Sequence, residues 1–330
     1  GPWNMLSTIG ITDTNGSGIY GGQTFTGYDA MLAQFYGGYR EVGDATLFPL
    51  IYTATASTPE FTIRIPFEYN HRTGAGSLPN MSANATYGLN LIGNTSANIW
   101  QTAPTTIGQM AVDVWMENWT LPDSQDLLGR NQMQGPPLLG TTQYVTKQTY
   151  TVVDNSANTV QLTRKGNMLR KWIMVARTAS TGARHATAGA AGTGPGGGAY
   201  PNPFEFWWDG NRLTSDDPKL ILQRNVETFS SLNLTAAPGV SQVPTGVLCY
   251  DFSDTYGFNS GADGEGGWLA TTQSSRLEFV GSNWGGGAAV MDQLDIITFD
   301  VAPIALANQY ALDSQTGKLL YPAQPEVRGG

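Results

Sequence analysis

The stretch from Val247 to Pro303 reads VLCYDF (Val247 to Phe252), a long Gly-rich loop, LEFVGSN (Leu277 to Asn283) and LDIITFDVAP (Leu294 to Pro303). Its apolar runs are short, rich in Val, Ile and aromatic residues, and closed by Gly, Asn, Ser or Pro, the signature of β-strands separated by turns. The same order of strand types stands in the first half: IPFEY (Ile65 to Tyr69), a Gly-rich loop, LNLIGN (Leu89 to Asn94) and AVDVWMENW (Ala111 to Trp119). The intervening spacings differ by several residues, but the shared order predicts two diverged copies of one β unit.

Working outward, further strand-like runs are FTIRIPFEY (Phe61 to Tyr69), TYGLNLI (Thr86 to Ile92), QMAVDVWMENW (Gln109 to Trp119) and LRKWIMVA (Leu169 to Ala176). FEFWW (Phe204 to Trp208), Lys219 to Leu222 and SRLEFV (Ser275 to Val280) join them, and Tyr150 to Leu162 reads as a hairpin around DNSAN. Only Tyr28 to Phe35 reads as a helix. The stretch Leu121 to Gly140 loses alternation and carries Gly135-Pro136-Pro137, which a sheet interior does not accommodate. The expected division is an N-terminal sandwich at 1–125, a linker at 126–146 and a C-terminal sandwich with a tail at 147–330, all-β and eight-stranded in each unit.

Composition narrows the functions. A length of 330 residues fits two units, and 41 Gly with 18 Pro disfavours long helices. A net charge of -9 opposes wholesale adhesion to nucleic acid or anionic lipid. The single Cys249 closes no intrachain disulfide, and with only His71 and His185 it builds no zinc site and leaves little material for a catalytic triad. No apolar run approaches the length of a membrane-spanning helix, and no basic-then-apolar leader opens the chain, so the expectation is a soluble, unexported protein. The Gly192 to Gly198 run contains GxGxxG but leads into Tyr200-Pro201-Asn202-Pro203, which forbids the helix a dinucleotide site needs. Asp263-Gly264-Glu265 lacks the alternating acids of a calcium loop and reads as an acidic turn. No cofactor is expected.

Two features point to interactions. Nine Trp and 14 Tyr exceed what two cores of this size require, and these are the residues that interfaces favour. Trp115 and Trp119 at the end of the first unit, and Trp207 and Trp208 beside a Pro-bounded loop, are the candidates. In a regular strand the last two point to opposite faces, so one enters the core and the other leaves it. Arg164, Lys165, Arg170, Lys171, Arg177 and Arg184 fall within 21 residues that contain no acid. Three readings stand open for them: a face toward phosphate of lipid or nucleic acid, donors to acidic neighbours in an oligomer, or a solvated strand face.

Three segments carry a family resemblance. LRKWIMVART (Leu169 to Thr178), the stretch from Gly246 to Phe279, and LDIITFDVAP resemble the C-terminal domain of double jelly-roll major capsid proteins of tailless icosahedral, lipid-containing phages and large DNA viruses. GEGGWLATTQ stands where the large-virus pattern has Pro-Ser-Gly, which favours the phage branch and, within it, the flavobacterial lipid-containing phages. The resemblance implies two tandem jelly rolls and a homotrimer whose six sandwiches form a pseudo-hexagonal block tiling an icosahedral virion shell. It further implies vertex and minor capsid proteins as partners, an underlying lipid membrane, synthesis in the host cytoplasm, no sequence-specific contact with nucleic acid and no enzymatic activity. The competing expectations are a carbohydrate-binding or glycoside-hydrolysing β-sandwich and, third, a virion fibre or spike.

Overall fold

The computed structural model describes residues 2–37, 61–69, 74–78, 86–99, 110–118, 128, 141–182, 184–185, 200–229, 244, 246–252, 268–285, 290–303, 311–312 and 319–320. Trp119, the Gly192 to Gly198 run, the acidic turn at Asp263 to Glu265 and most of Leu121 to Gly140 lie outside these residues. In chain order the strands of the first half are β1 (Leu6–Thr12), β2 (Gly18–Gly22) and β3 (Gly88–Gly93), with helices α1 (Gly27–Tyr36) and α2 (Ser96–Ile99). The second half holds β4 (Thr141–Thr151), β5 (Ser156–Leu162), β6 (Met168–Arg177), β7 (Phe204–Trp208), β8 (Asn211–Asp216), α3 (Pro218–Phe229) and β9 (Val247–Asp251). It closes with β10 (Leu269–Ala270), β11 (Leu277–Trp284), β12 (Gln293–Pro303), β13 (Ala311–Leu312) and β14 (Leu319–Leu320).

Four antiparallel pairings define the second half: β4 with β12, β5 with β11, β6 with β9 and β7 with β8. First pairs with last, second with next to last, and so inward, as in one long antiparallel ribbon. The ribbon is rolled up by two further pairings, β12 with β6 and β11 with β7. The outcome is two packed sheets, β4-β12-β6-β9 and β5-β11-β7-β8, a complete eight-stranded jelly roll. β10 prolongs the line of β9 along the same edge of β6. The first half continues the larger sheet: β2 meets β4 in parallel at Tyr20 and Val145, and β1 and β3 follow outward. The chain is thus mostly β-sheet, as its periodicity indicates. Of the N-terminal unit the described residues contribute this three-stranded extension and α1.

Two cores lie on opposite faces of the larger sheet. Between the sheets pack Trp172, Met174, Leu248, Tyr250, Leu294 and Ile296 against Phe204, Phe206, Leu277, Phe279 and Trp284. Trp172 is central, stacked on Tyr250 with centroids 5.6 Å apart and edge-on to Phe279 at 5.1 Å. On the other face Ile173, Val175, Val247, Cys249, Ile297 and Phe299 meet Ala30, Leu32, Ala33 and Tyr36 of α1. Burial on both faces explains why β6, β9 and β12 read as nearly continuous apolar runs. This face is covered by the chain's own first half.

Several local expectations change. Lys219 to Leu222 is helical, the start of α3. Asp217 caps it by accepting the Lys219 N–H at 2.9 Å, Pro218 occupies the first turn, and Ile221, Asn225 and Phe229 are buried at four-residue spacing. Tyr150 to Leu162 reverses direction at Asp154 and Asn155, but β4 and β5 enter different sheets, so it is a sandwich corner and not a ladder-paired hairpin. Phe61 to Tyr69 keeps its alternation, with Ile63, Ile65 and Phe67 packed on the second core, yet it forms no strand because Pro66 withholds a donor. Residues 110–118 likewise form no strand. β4 begins at Thr141, inside the stretch assigned to the linker.

Truncating Trp172 to Ala empties the centre of the sandwich and is expected to cost about 3–5 kcal/mol. Denaturant unfolding measures it; a cost below about 1 kcal/mol contradicts the assigned core.

Candidate functional site

Read with period two, β6 separates into Trp172, Met174 and Ala176 toward the sandwich and Lys171, Ile173, Val175 and Arg177 toward α1. The outer row is apolar in the middle and cationic at both ends, and α1 lies over it. Thr26 caps the helix: its hydroxyl accepts the Asp29 N–H at 3.3 Å while Asp29 Oδ2 accepts the Thr26 N–H at 2.9 Å. The same Oδ2 takes a 2.7 Å contact from Lys147 Nζ, and Asp29 is fully buried. Arg177 Nε donates to Asp295 Oδ2 at 2.8 Å, Arg177 Nη2 stands 3.6 Å from Asp29 Oδ1, and Lys147 reaches Asp295 at 3.5 Å. Thr149 and Gln293 each donate to Asp295 Oδ1 at 2.8 Å. Two acids and two bases from α1, β4, β6 and β12 thus form a closed network beneath the helix N-terminus.

At the other end of α1, Lys171 is 2% exposed. Its ammonium donates to the Tyr36 carbonyl at 2.8 Å, pairs with Asp251 Oδ2 at 2.6 Å and lies 5.5 and 5.6 Å from the ring centroids of Phe229 and Phe299. An acid sits in the first turn of α1 and a cation at its last carbonyl, which is how a helix dipole is complemented.

The remaining basic candidates are also engaged within the chain. Arg164 forks onto Asp300, Nη2 at 2.9 Å and Nε at 3.1 and 3.2 Å, with its guanidinium 5.3 Å from the Tyr144 ring centroid. Lys165 donates to the Ser275 carbonyl at 3.0 Å and Arg170 to Gln143 at 2.7 Å. Arg184 is exposed, lies 4.5 Å over the Tyr28 ring and bonds its hydroxyl. Arg164, Lys171 and Arg177 are thus each paired with an acid of the same chain. The segment lacks acids in sequence because its acids arrive from α1, β9 and β12.

Burial pushes the Asp300 carboxyl above its ordinary value of 3.8, against the pull of Arg164 and Asn167. Burial likewise raises the Tyr28 hydroxyl, opposed by Arg184 and Arg177.

The aromatic candidates divide. Trp208 lies opposite Leu277 in the ladder, packs against the sandwich core and donates to Ser275 Oγ at 3.4 Å, so it is the inward one of the two. Trp207 is opposite Glu278, on the other face, and donates to Glu205 Oε2 at 2.9 Å. Trp115 is 90% exposed. Around it Met110, Val112, Val114 and Met116 are exposed too, and with Leu89 and Ile92 they make seven of the thirteen exposed large apolar residues among those described. Sequence reasoning missed Asp29, Lys147, Asp251, Asp295 and Asp300. The Thr26-x-x-Asp29 capping box was the available signal for the first.

The strand order defines a jelly-roll β-sandwich protein. No family model matches the chain, and no curated protein does. Among solved structures it is similar to the STIV MCP, at 13% identity over 92% of this chain and 80% of that one, with a TM-score of 0.43. It is similar also to a chain of the Sulfolobus Turreted Icosahedral Virus structure, at 11% identity over 92% and 75% with a TM-score of 0.44. A third is the PBCV-1 virus capsid, at 10% identity over 97% and 84% with a TM-score of 0.38.

Asp29→Ala leaves Lys147 without its closest carboxylate in a buried site and is expected to cost about 3–5 kcal/mol, strongly non-additive with Lys147→Met. A double-mutant cycle by denaturant unfolding checks this; additive losses contradict the network. For Asp300, a folded pKa above the unfolded one means stability that is complete below the unfolded value and lost as pH rises through the folded one. The wild-type melting temperature, relative to Asp300→Asn, therefore falls as pH rises above the ordinary carboxylate value; a pH-independent difference contradicts the burial effect.

Proposed function

We propose that the chain is a structural major capsid protein that acts by self-assembly, with no catalytic role. The observation that carries this reading is the concentration of exposed apolar side chains, Trp115 foremost, on one part of a jelly-roll chain whose larger sheet is covered on both faces at β6, β9 and β12. Jelly rolls serve as viral shell and lectin domains. The run also carries Asp113, Glu117 and Asn118, but its five exposed large apolar side chains, Met110, Val112, Val114, Trp115 and Met116, go beyond the isolated aromatic of a lectin site and suit a protein contact. The resemblance of LRKWIMVART and LDIITFDVAP to double jelly-roll capsid proteins supports the same class, and FLiP, a flavobacterial lipid-containing phage, is the member it favours.

In this reading residues 1–125 form the first jelly roll, and the linker expected at 126–146 gives way at Thr141 to β4, so that 141–330 form the second with its tail. Three copies make a pseudo-hexagonal trimer that tiles an icosahedral shell over a lipid membrane, alongside vertex and minor capsid proteins. The protein is made in the host cytoplasm and resides in the virion. Trp115, Trp119 and Trp207 serve as contacts between copies. The four pairings of the basic segment with chain acids leave it a structural role.

Size-exclusion with light scattering tests the reading. The expected species is a trimer of three times 35.3 kDa, about 106 kDa, whose yield drops with Trp115→Ala at unchanged melting temperature. A monomer that binds glycans supports the sandwich lectin instead.

A further inference from the structure

The larger sheet ends on β3, and among the described residues β3 pairs only with β1. An open strand edge is a template for another strand, and the other edges here are managed. Along β9 the Asn225 amide of α3, turned so that its nitrogen faces the Cys249 carbonyl, takes the place of a neighbouring strand, donating to that carbonyl at 2.6 Å and accepting the Cys249 N–H at 2.9 Å. β5, also without charge or Pro, exposes only Ala157, Thr159 and Gln161 and no large apolar side chain, and β8 carries the Arg212–Glu205 ion pair. β3 has none of these guards. Its sequence, GLNLIG, is without charge or Pro, and Leu89 and Ile92 are 40% and 50% exposed on its opposite faces. The Met110 thioether methyl lies 3.7 Å from where a Cβ on Gly93 would stand, so the exposed 110–116 run adjoins this edge.

Charge identifies the occupant. Residues 73–112 are forty consecutive positions without Asp, Glu, Lys, Arg or His, in a chain of net charge -9. Two copies repel one another over most approaches, whereas β3 and the described residues 86–99 around it carry no charge, Asp113 standing beyond them in the neighbouring run. A strand that offers an uncharged edge also supplies the complementary edge, so a second copy of this chain fits both requirements.

We propose that β3 of one copy pairs antiparallel with β3 of a second across a local twofold axis, with Leu89, Ile92 and Met110 packing beside the seam. This rests on the shell reading and names the contact between trimers, since a twofold contact is not one made within a trimer. A twofold normal to the sheet keeps each side chain on its own face, so facing positions differ by an even number: position 90 faces 90 or 92, or 92 faces 92.

The test uses the full chain. Ile92→Lys places a charge on each side of the seam. It is expected to stop assembly at the trimer, with the wild-type melting temperature and circular dichroism retained. Independently, Asn90→Cys and Ile92→Cys, singly and mixed, are oxidised under native conditions; Cys249 is buried and does not compete. A disulfide-linked dimer is expected from one of the three combinations. If Ile92→Lys assembles beyond the trimer as the wild type does and no combination crosslinks, the β3 contact is wrong while the shell reading stands. If the wild type stays monomeric at every concentration, the shell reading fails and takes the contact with it.

Discussion

Lys171 and Asp29 hold the two ends of one helix, and the placement of the N-terminal half follows from that. Helix α1 lies across a sheet that is already the inner wall of a sandwich, with Lys171 against its last carbonyl and the Lys147–Asp29–Arg177–Asp295 network under its first turn. Between the clamps only apolar side chains meet: Ala30, Leu32 and Ala33 against Ile173, Val175 and Ile297. Apolar packing supplies the energy, with Leu32 alone worth about 2 kcal/mol. It does not fix direction, because a smooth apolar face tolerates sliding. A buried charge does not. Ion pairs of this kind add little over an apolar replacement, but every displaced register leaves one charge unpaired in a dry site.

This division of labour explains what could be read beforehand. Several jelly-roll strands of the second half are legible because each is a short Val, Ile and aromatic run closed by turn formers, and LRKWIMVA, VLCYDF and LDIITFDV are β6, β9 and β12 almost to the residue, whereas the polar-rich β4 and β8 give no such signal. What the runs conceal is their second face. A strand buried on both sides loses the polar alternation that would assign its faces, and the charges in it look surplus when their partners lie far along the chain. Lys147 and Asp29 are 118 positions apart, Lys171 and Tyr36 135. The acid-free run from Arg164 to Arg184 is a false vacancy of this kind, neutralised in space and not in sequence.

Other features were illegible for local reasons. α3 hides behind the β-like start LIL, and its period emerges only when Ile221 is joined to Asn225 and Phe229. One of those three is polar, so an apolar stripe does not announce the helix. Asn225 is buried because it serves the backbone of Cys249, a role invisible without the sheet edge it covers. At Phe61 to Tyr69 the alternation is real, but Pro66 interrupts the ladder. Side-chain periodicity reports burial, and it predicts hydrogen bonding only where every donor is present.

Consumption of the cations inside the fold also shapes the outer surface. Lys147, Arg164, Lys171 and Arg177 are bound to acids of the same chain, so each is removed from the exterior together with a compensating carboxylate. The net charge of -9 is left to the surface, where it acts between copies. Repulsion of that kind is long-ranged and weakened by salt, whereas strand pairing and apolar contact act only at touch. A protein so arranged is kept apart from its copies except through surface that carries no charge. β3 and the described residues 86–99 around it are such a surface, and the energy available there is backbone hydrogen bonding plus the burial of a few apolar side chains. Contacts of this size hold when many are made at once, which suits an extended array better than an isolated pair.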